Sequence, residues 1–301
     1  MTWHRPFGTV GGDGWDVVVE PDASGWEHTG IYAGRLADGE SRGLDAGRRE
    51  LVVVPLEGSL LVSSDDAAGR HEATLAGRAS VFAGATDVAY VPAGSRLSVT
   101  AVGAARVALV FAVTEAVEPR FAFRHVAADE VPVELRGAGF ASREVRNFGI
   151  PGVLEADSII ACEVVTPAGN WSSWPPHKHD EERPGEETQL EEIYYFEVAP
   201  EAGAPASASA DPIGYQRVYG TEHRPIDVMA EVRSGDVVLV PHGWHGPAMA
   251  APGYDLYYLN VMAGPGPERA WLICDDPAHG WVRDTWSAQP VDPRLPLGGS
   301  R

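Results

Sequence analysis

The sequence predicts an all-β protein, built as a sandwich or a barrel. Short apolar runs rich in Val, Leu and Tyr lie between turn residues, and each run has the length of a strand. The 34 glycines and 24 prolines are spread along the chain, and long stretches with the 3.6-residue period of a helix are scarce. The predicted strands include residues 15–20, 50–55, 60–63, 87–92, 106–114, 159–165, 193–198, 236–241 and 254–262.

An internal repeat indicates that two β units of similar plan follow one another. The segment DVAYVPAG at 87–94 matches DVVLVPHG at 236–243 in register, and Glu50 heads the run ELVVV much as Glu192 heads EIYYF. We expect a first unit at 1–120, a connecting segment at 121–149 that packs across both units, a second unit at 150–265, and a C-terminal segment at 266–301 that wraps back onto the body.

Charge and cysteine content narrow the class of protein. Lys plus Arg number 23 and Asp plus Glu number 43, so the net charge of the 301 residues is −20. An acidic surface repels nucleic acid and anionic lipid, so we expect neither as a partner. Cys162 and Cys274 cannot form a disulfide framework, and no signal peptide or membrane span is evident. These features predict a cytoplasmic protein.

A group of candidate metal ligands lies in the second unit. His177 and His179 are one residue apart in WPPHKHD, and alternate side chains of an extended strand point the same way. Glu192, at the head of the next predicted strand, offers a carboxylate, and His245 in PHGWHGP offers a further imidazole. Nitrogen and oxygen ligands of this kind suit a divalent transition metal.

Neighbouring residues compete for two of these positions. His242 lies three residues before His245 and would face the opposite side of an extended segment, so we favour His245, which follows the Pro-x-Gly turn. For the carboxylate we favour Glu192 because it matches Glu50 in the repeat and begins a strand. The alternatives for the carboxylate are Glu186, Glu187 and Glu191.

The remaining acidic residues between 180 and 187 predict a solvated or gating loop. The first unit has Arg96 or Leu97 where the second has His245, and no His-x-His precedes Glu50. Because a metal centre needs three or four ligands, we expect the first unit to be metal-free.

The order of these motifs resembles the cupin fold, here as two double-stranded β-helix (jelly-roll) barrels in tandem, a bicupin. More specifically, the chain resembles the 5-deoxy-glucuronate isomerase family of myo-inositol catabolism, which is related to the 4-deoxy-5-hexosulose-uronate ketol-isomerases. The stretches that carry the resemblance are TPAGNWSSWPPHKHD at 166–180, LEEIYYF at 190–196, GDVVLVPHGWH at 235–245 and PGYDLYYLNVMAG at 252–264. Carried over, the metal ligands of the family fall on His177, His179, Glu192 and His245.

The resemblance implies a metal-dependent aldose–ketose isomerase. It would convert 5-deoxy-D-glucuronate, a small sugar acid, to 2-deoxy-5-keto-D-gluconate through a cis-enediolate, with one divalent ion such as Zn, Mn, Fe or Ni. The same ligand set also suits an oxygen-dependent cupin dioxygenase or oxidase, and a bicupin can bind a sugar without catalysis.

Other site residues are predicted from strand position. Tyr258 and Asn260 share one face and are the first candidates for proton transfer, ahead of Glu163, Asp255, Tyr257 and Glu231. For the substrate carboxylate we expect Arg217 or Lys178, although Lys178 alternates away from the histidines. Asn170 and Trp174 are expected at the mouth of the site. Exposed strand edges would also allow a homo-oligomer.

Overall fold

The structure, a computed structural model, describes residues 2–22, 25–115 and 120–298. It confirms the all-β prediction, and each predicted apolar run lies on a strand. The runs at 50–55 and 60–63 belong to a single long strand, because Gly58 and a register shift bend that strand without ending it.

The strands of the first part are β1 (His4–Arg5), β2 (Val17–Val19), β3 (Thr29–Leu36), β4 (Ser41–Asp45), β5 (Arg49–Asp66), β6 (Gly69–Arg78), β7 (Val88–Val91), β8 (Arg96–Val113) and β9 (Arg124–Val126). Those that follow are β10 (Val133–Arg136), β11 (Arg143–Gly149), β12 (Ile160–Thr166), β13 (Trp171–Ser172), β14 (His177–Lys178), β15 (Glu191–Pro200), β16 (Gly214–Tyr219), β17 (Asp227–Val232), β18 (Val237–Val240), β19 (Trp244–Ala250), β20 (Tyr254–Ala263) and β21 (Cys274–Asp275). Short 3₁₀ segments cover Val81–Ala83, Ala128–Glu130, Gly139–Ala141 and Gly280–Ala288. Within the described ranges, no helix has the length and apolar character needed to cross a membrane.

Three antiparallel sheets organise these strands. One has the order β2-β3-β8-β5-β7-β9, with β4 beside β8 and β6 beside β5. A second has the order β1-β18-β15-β20-β12-β11-β10, and a third has the order β17-β16-β19-β14-β21, with β13 beside β19. Within 121–149, the segment predicted to connect the units, β9 pairs with the first sheet whereas β10 and β11 pair with the second. The N-terminal β1 also joins the second sheet.

Period-two alternation sends the side chains of one strand into two different cores. On β20, Tyr257, Leu259 and Val261 face a core shared between the first and second sheets. The intervening Tyr258 and Met262 face the interior between the second and third sheets. The interior of the first unit has a separate core that includes Leu51, Val53 and Leu109. The second and third sheets therefore enclose a barrel whose inner face carries Tyr258.

The pairing of Glu50 with Glu192 in the repeat is wrong by one residue. Leu51 pairs with Val91 on β7, and Glu192 pairs with Val240 on β18. Because 87–94 and 236–243 match in register, Leu51 is the counterpart of Glu192 and Glu50 is the counterpart of Glu191. A shift of one residue moves a side chain to the other face of a sheet.

Hydrogen bonds agree with this corrected register. Glu50 accepts backbone N–H groups of Asp157 at 2.8 Å and Ile159 at 2.6 Å. Glu191 accepts those of His28 at 2.8 Å and Thr29 at 2.7 Å. Glu50 thus joins the first unit to the segment that precedes β12, and Glu191 joins the second unit to the start of β3. This structural role of Glu191 leaves Glu192 for the barrel interior.

Candidate active site

Three histidines meet inside the second barrel. His177 begins β14 and pairs across the sheet with His245 on β19. The His177 ring centroid is 4.4 Å from that of His245, and the His179 centroid is 4.7 Å from it. His177 is 7% exposed, whereas His179 and His245 are each 1% exposed. The extended His-Lys-His segment and the neighbouring strand therefore bring three imidazoles to one point.

Backbone carbonyls orient all three rings in the same way. The Nδ1 atoms of His179 and His245 lie 3.2 Å from the carbonyl oxygens of Leu190 and Gly243, respectively. His177 Nδ1 lies 3.5 Å from the Pro175 carbonyl oxygen. A proton on Nδ1 that is donated to a carbonyl leaves the Nε2 lone pair free to bind a metal.

Glu192 completes a donor set that fits a divalent metal. One ligand atom from each of the three histidines lies within 4.8 Å of the other two, and Glu192 Oε2 is 3.1 Å from the Nε2 atoms of both His179 and His245. Adjacent ligands on an octahedral ion with bonds of about 2.1 Å are about 3.0 Å apart. Although it lies this close to Glu192, the buried His245 Nε2 makes no hydrogen bond within the described part of the chain, so its lone pair is free to bind a metal.

Two of these groups, His177 and Glu192, are held in the protonation state that binds a metal. Burial, with the two neighbouring imidazoles, lowers the pKa of His177 and keeps its ring neutral. Burial would raise the pKa of Glu192, but His179 and His245 outweigh it and lower that pKa to about 2. Burial would lower the pKa of His179, but Glu192 outweighs burial and raises that pKa, so a metal that binds this ring competes with a proton. A neutral imidazole and an ionised carboxylate are the ligand forms of these side chains.

The acidic loop after the histidines, predicted as a solvated or gating loop, is in part buried. Glu187 is fully buried and accepts a hydrogen bond from Lys178 Nζ at 2.9 Å, and Lys178 also donates to Asp180 at 2.7 Å. Asp180 Oδ2 accepts the backbone N–H of Gly243 at 2.9 Å. This network ties the His-Lys-His segment to the turn before His245, while Glu181, Glu182 and Glu186 remain exposed.

A cavity of about 210 Å³ adjoins the histidines. Its lining combines metal-ligand candidates, hydroxyl groups and cations: Arg136, Arg143, Val145, Val164, Ser173, His177, Glu192, Tyr194, Tyr258, Asn260, Trp271, Ile273 and Arg283. The predicted pair Tyr258 and Asn260 therefore does line the same space as His177 and Glu192. The C-terminal segment supplies Trp271, Ile273 and Arg283.

Ser173 links two tyrosine hydroxyls on the wall of this cavity. Its Oγ lies 3.1 Å from the hydroxyl oxygens of both Tyr194 and Tyr258. The backbone of Ser173 has φ of 48°, which is uncommon outside glycine and is concentrated at functional sites. Burial is the main cause that raises the pKa of Tyr258 to about 12, so its phenol is protonated at neutral pH.

The structure places the predicted substrate contacts outside this cavity. Asn170 is fully buried and donates to the Ser142 carbonyl at 3.1 Å and to Asp292 at 2.9 Å. The Arg217 guanidinium pairs with Asp227 on the neighbouring strand, because its alternation position on β16 turns it outward. Trp174 lines a separate, apolar pocket with Trp171 and Trp286.

The other candidates for proton transfer also lie elsewhere. Glu163 is buried between Arg78 and Arg146 and accepts a hydrogen bond from Tyr257 at 2.6 Å. These four side chains lie in the region between the two units. Asp255 accepts the backbone N–H of Ala168 at 2.9 Å. Glu231 bonds the exposed Tyr215 hydroxyl at 3.1 Å.

Sequence reasoning missed several lining residues. Arg136 and Arg143 come from the segment predicted as a connection, and Arg283 comes from the C-terminal segment. Ser173 lies within the conspicuous motif WSSWPPHKH, so its closeness to the ligands was the one available signal. The arginines carried no local signal, because strand pairing over long sequence distances brings them to the cavity.

The comparisons with known proteins identify the family. The model of the KduI/IolB family matches residues 4–282. The chain belongs to the KduI/IolB family. Curated relatives named 5-deoxy-glucuronate isomerase include one from Geobacillus kaustophilus, 40% identical over 270 residues, covering 89% of this chain and 91% of the relative. Another, from Bacillus subtilis strain 168, is 38% identical over 248 residues, and the match covers 82% of this chain and 84% of the relative. This family member is therefore an enzyme of the isomerase class.

Solved structures agree with the family and the fold. An IolB-like protein from Salmonella typhimurium LT2 superposes with a TM-score of 0.80 at 32% identity, covering 94% of this chain and 99% of the other. A Lactobacillus farciminis oxalate decarboxylase superposes with a TM-score of 0.61 at 12% identity, covering 91% of this chain and 88% of the decarboxylase chain. The second likeness concerns the fold alone, and it confirms the bicupin prediction for this KduI/IolB family member.

Proposed function

We propose that this protein catalyses the metal-dependent isomerisation of 5-deoxy-D-glucuronate to 2-deoxy-5-keto-D-gluconate. The observation that carries the proposal is the cluster of His177, His179 and His245. Glu192 lies beside two of these rings, and the adjoining cavity carries hydroxyl and cationic groups. The curated relatives of the chain are named 5-deoxy-glucuronate isomerase. The reaction moves one proton from C2 to C1 and one from the C2 hydroxyl to the former aldehyde oxygen.

The donor set would hold one divalent transition metal, with Zn, Mn, Fe and Ni all compatible with three imidazoles and a carboxylate. When bound, the ion supplies a Lewis acid for the carbonyl and the neighbouring hydroxyl. The carbonyls of Leu190, Gly243 and Pro175 hold the imidazoles in position, and the Asp180 bond to Gly243 fixes the turn that carries His245.

Tyr258 and Asn260 act on the substrate oxygens. The Tyr258 phenol is protonated at neutral pH because burial raises its pKa to about 12, so it can act as a proton donor to the substrate oxygen on which negative charge develops. Ser173 orients that phenol together with the one of Tyr194. Asn260 Nδ2 donates to the Ile193 carbonyl at 3.3 Å, which fixes its amide plane against the cavity wall.

The test is an anaerobic assay of the purified protein on 5-deoxy-D-glucuronate that follows the 5-keto product. We expect conversion that a chelator abolishes and a divalent metal restores. Metal-loaded protein that forms no product anaerobically, yet consumes oxygen with a sugar acid, would replace the isomerase with an oxidase. Conversion that survives complete removal of metal would reject the Lewis-acid role.

A further inference from the structure

Three arginines line the cavity, and carboxylates neutralise two of them. Arg136 donates to Glu134 from Nε at 2.9 Å and from Nη2 at 2.7 Å. Arg283 forms a two-point ion pair with Asp275, one bond of which is 2.7 Å long. Both pairs also keep some contact with solvent. These two side chains are therefore compensated before any ligand binds.

Arg143 differs because no carboxylate in the described part of the chain lies within ion-pair distance of it. Its guanidinium donates one hydrogen bond, from Nη1 to the Ala141 carbonyl at 2.9 Å, and lies 5.5 Å from the centre of the Trp286 ring. The residue is 5% exposed. A buried cation that lacks an anion is unfavourable, and burial accordingly lowers the pKa of Arg143 to about 10, which still leaves it charged at neutral pH.

A structural role does not account for this charge. One hydrogen bond to a carbonyl can be made by a neutral amide, and a guanidinium has five N–H donors. The ring of Trp286 offsets part of the cost through a cation–π contact. An anion inside the cavity would supply the missing partner, and planar guanidinium matches a carboxylate with two parallel hydrogen bonds.

We propose that Arg143 is the binding residue for the carboxylate of the substrate and that it makes the enzyme select sugar acids over neutral sugars. Arg143 and the pair His177–Glu192 line the same cavity from different strands. A short chain can thus meet the metal ligands with its aldehyde end and Arg143 with its acid end. The identity of that acid rests on the proposed function, whereas the carboxylate preference rests on Arg143 alone.

A pair of unreactive ligands tests this without turnover. Reduction of the aldehyde of 5-deoxy-D-glucuronate to an alcohol gives an acid that cannot isomerise, and its primary amide is a neutral match. We expect calorimetry on the metal-loaded wild type to show the acid bound more tightly than the amide. In Arg143→Met the acid should lose about 10- to 100-fold in affinity, the range of a charge-assisted pair, while amide binding stays the same. Arg143→Lys should retain part of the preference.

Arg217→Gln is the matched control, since Arg217 is a partly exposed arginine outside the cavity, and this variant should bind both ligands as the wild type does. The proposal is overturned if the wild type does not prefer the acid, or if Arg143→Met keeps that preference. It is also overturned if the variant loses acid and amide equally together with its thermal stability. If the wild type fails to isomerise the aldehyde yet shows a preference that depends on Arg143, the proposed function falls and the carboxylate subsite stands.

Discussion

Adjacent tyrosines on β20 allow the proton-transfer role of the cavity hydroxyls to be separated from a structural role. Tyr258 faces the cavity, and Tyr257 faces the core between the units. Tyr258→Phe removes one hydroxyl and keeps the ring contacts with Tyr194 at 4.9 Å and Phe196 at 5.9 Å. Tyr257→Phe is the same chemical change one residue away, on the opposite face of the strand.

The structure gives opposite expectations for the two variants. The Tyr258 hydroxyl bonds Ser173 Oγ at 3.1 Å, a bond between neutral groups that contributes about 1 kcal/mol to stability. Its role as a proton donor is expected to contribute about 10²- to 10⁴-fold to kcat. The Tyr257 hydroxyl donates to buried Glu163 at 2.6 Å, so its loss should cost about 1.5–3 kcal/mol of stability and leave kcat unchanged.

The assay measures kcat on 5-deoxy-D-glucuronate and urea unfolding for both variants, after metal analysis has shown equal metal content. A large fall in kcat for Tyr258→Phe, with most of its stability retained, would support the role on substrate oxygen. The reasoning is refuted if Tyr258→Phe keeps kcat within about threefold of the wild type, since general acid catalysis contributes far more. Equal loss of kcat in both variants would point instead to a general disturbance of β20.

Three further predictions concern the metal ligands and the carboxylates between the units. His245→Ala should purify with little of the metal that the wild type holds, whereas His242→Ala, outside the cluster, should hold a full equivalent by elemental analysis. Glu191→Gln loses charge-assisted hydrogen bonds to the backbone of residues 27–29, so urea unfolding should show a fall of about 2–4 kcal/mol in the free energy of unfolding, with metal content unchanged. An unaltered urea midpoint would contradict this structural role of Glu191. Burial would raise the pKa of Glu163, but its ion pair with Arg78 outweighs burial and holds that pKa below 4.5. The ion pair therefore stabilises the fold above about pH 4.5, and this stabilisation is lost as the pH falls through the lower pKa of Glu163 in the folded state. In Glu163→Gln the free energy of unfolding should decline less steeply across that pH range than in the wild type.

Local patterns in the sequence were enough to predict the strands and the donor group. Alternation along an extended segment depends only on backbone geometry, so His177 and His179 could be placed on one side without knowledge of any partner strand. The Pro-x-Gly turn likewise distinguished His245 from His242, and the structure brings His245 into the cluster. The resemblance of these same motifs to a known family supplied the reaction.

Register decided what those local patterns could not. The repeat predicts that Glu192 matches Glu50, yet strand pairing makes Glu191 that counterpart and turns Glu192 into the barrel. A single residue separates a carboxylate that joins the two units from one that faces three imidazoles. Period-two patterning is ambiguous between these assignments until the neighbouring strand is known.

The cavity itself is a product of tertiary structure. Arg143 on β11, Tyr258 on β20 and Arg283 near the C-terminus are distant in the sequence and converge only through pairing of the sheets and docking of the last segment. The same pairing turns Arg217 toward Asp227 and buries Asn170 against Asp292, which removes both predicted contacts from the site. The sequence by itself determined the strands and the motifs that carry the clustered histidines, since these depend on neighbouring residues. Only the packed barrel decided which cations face the cavity, because that depends on which distant strands become neighbours.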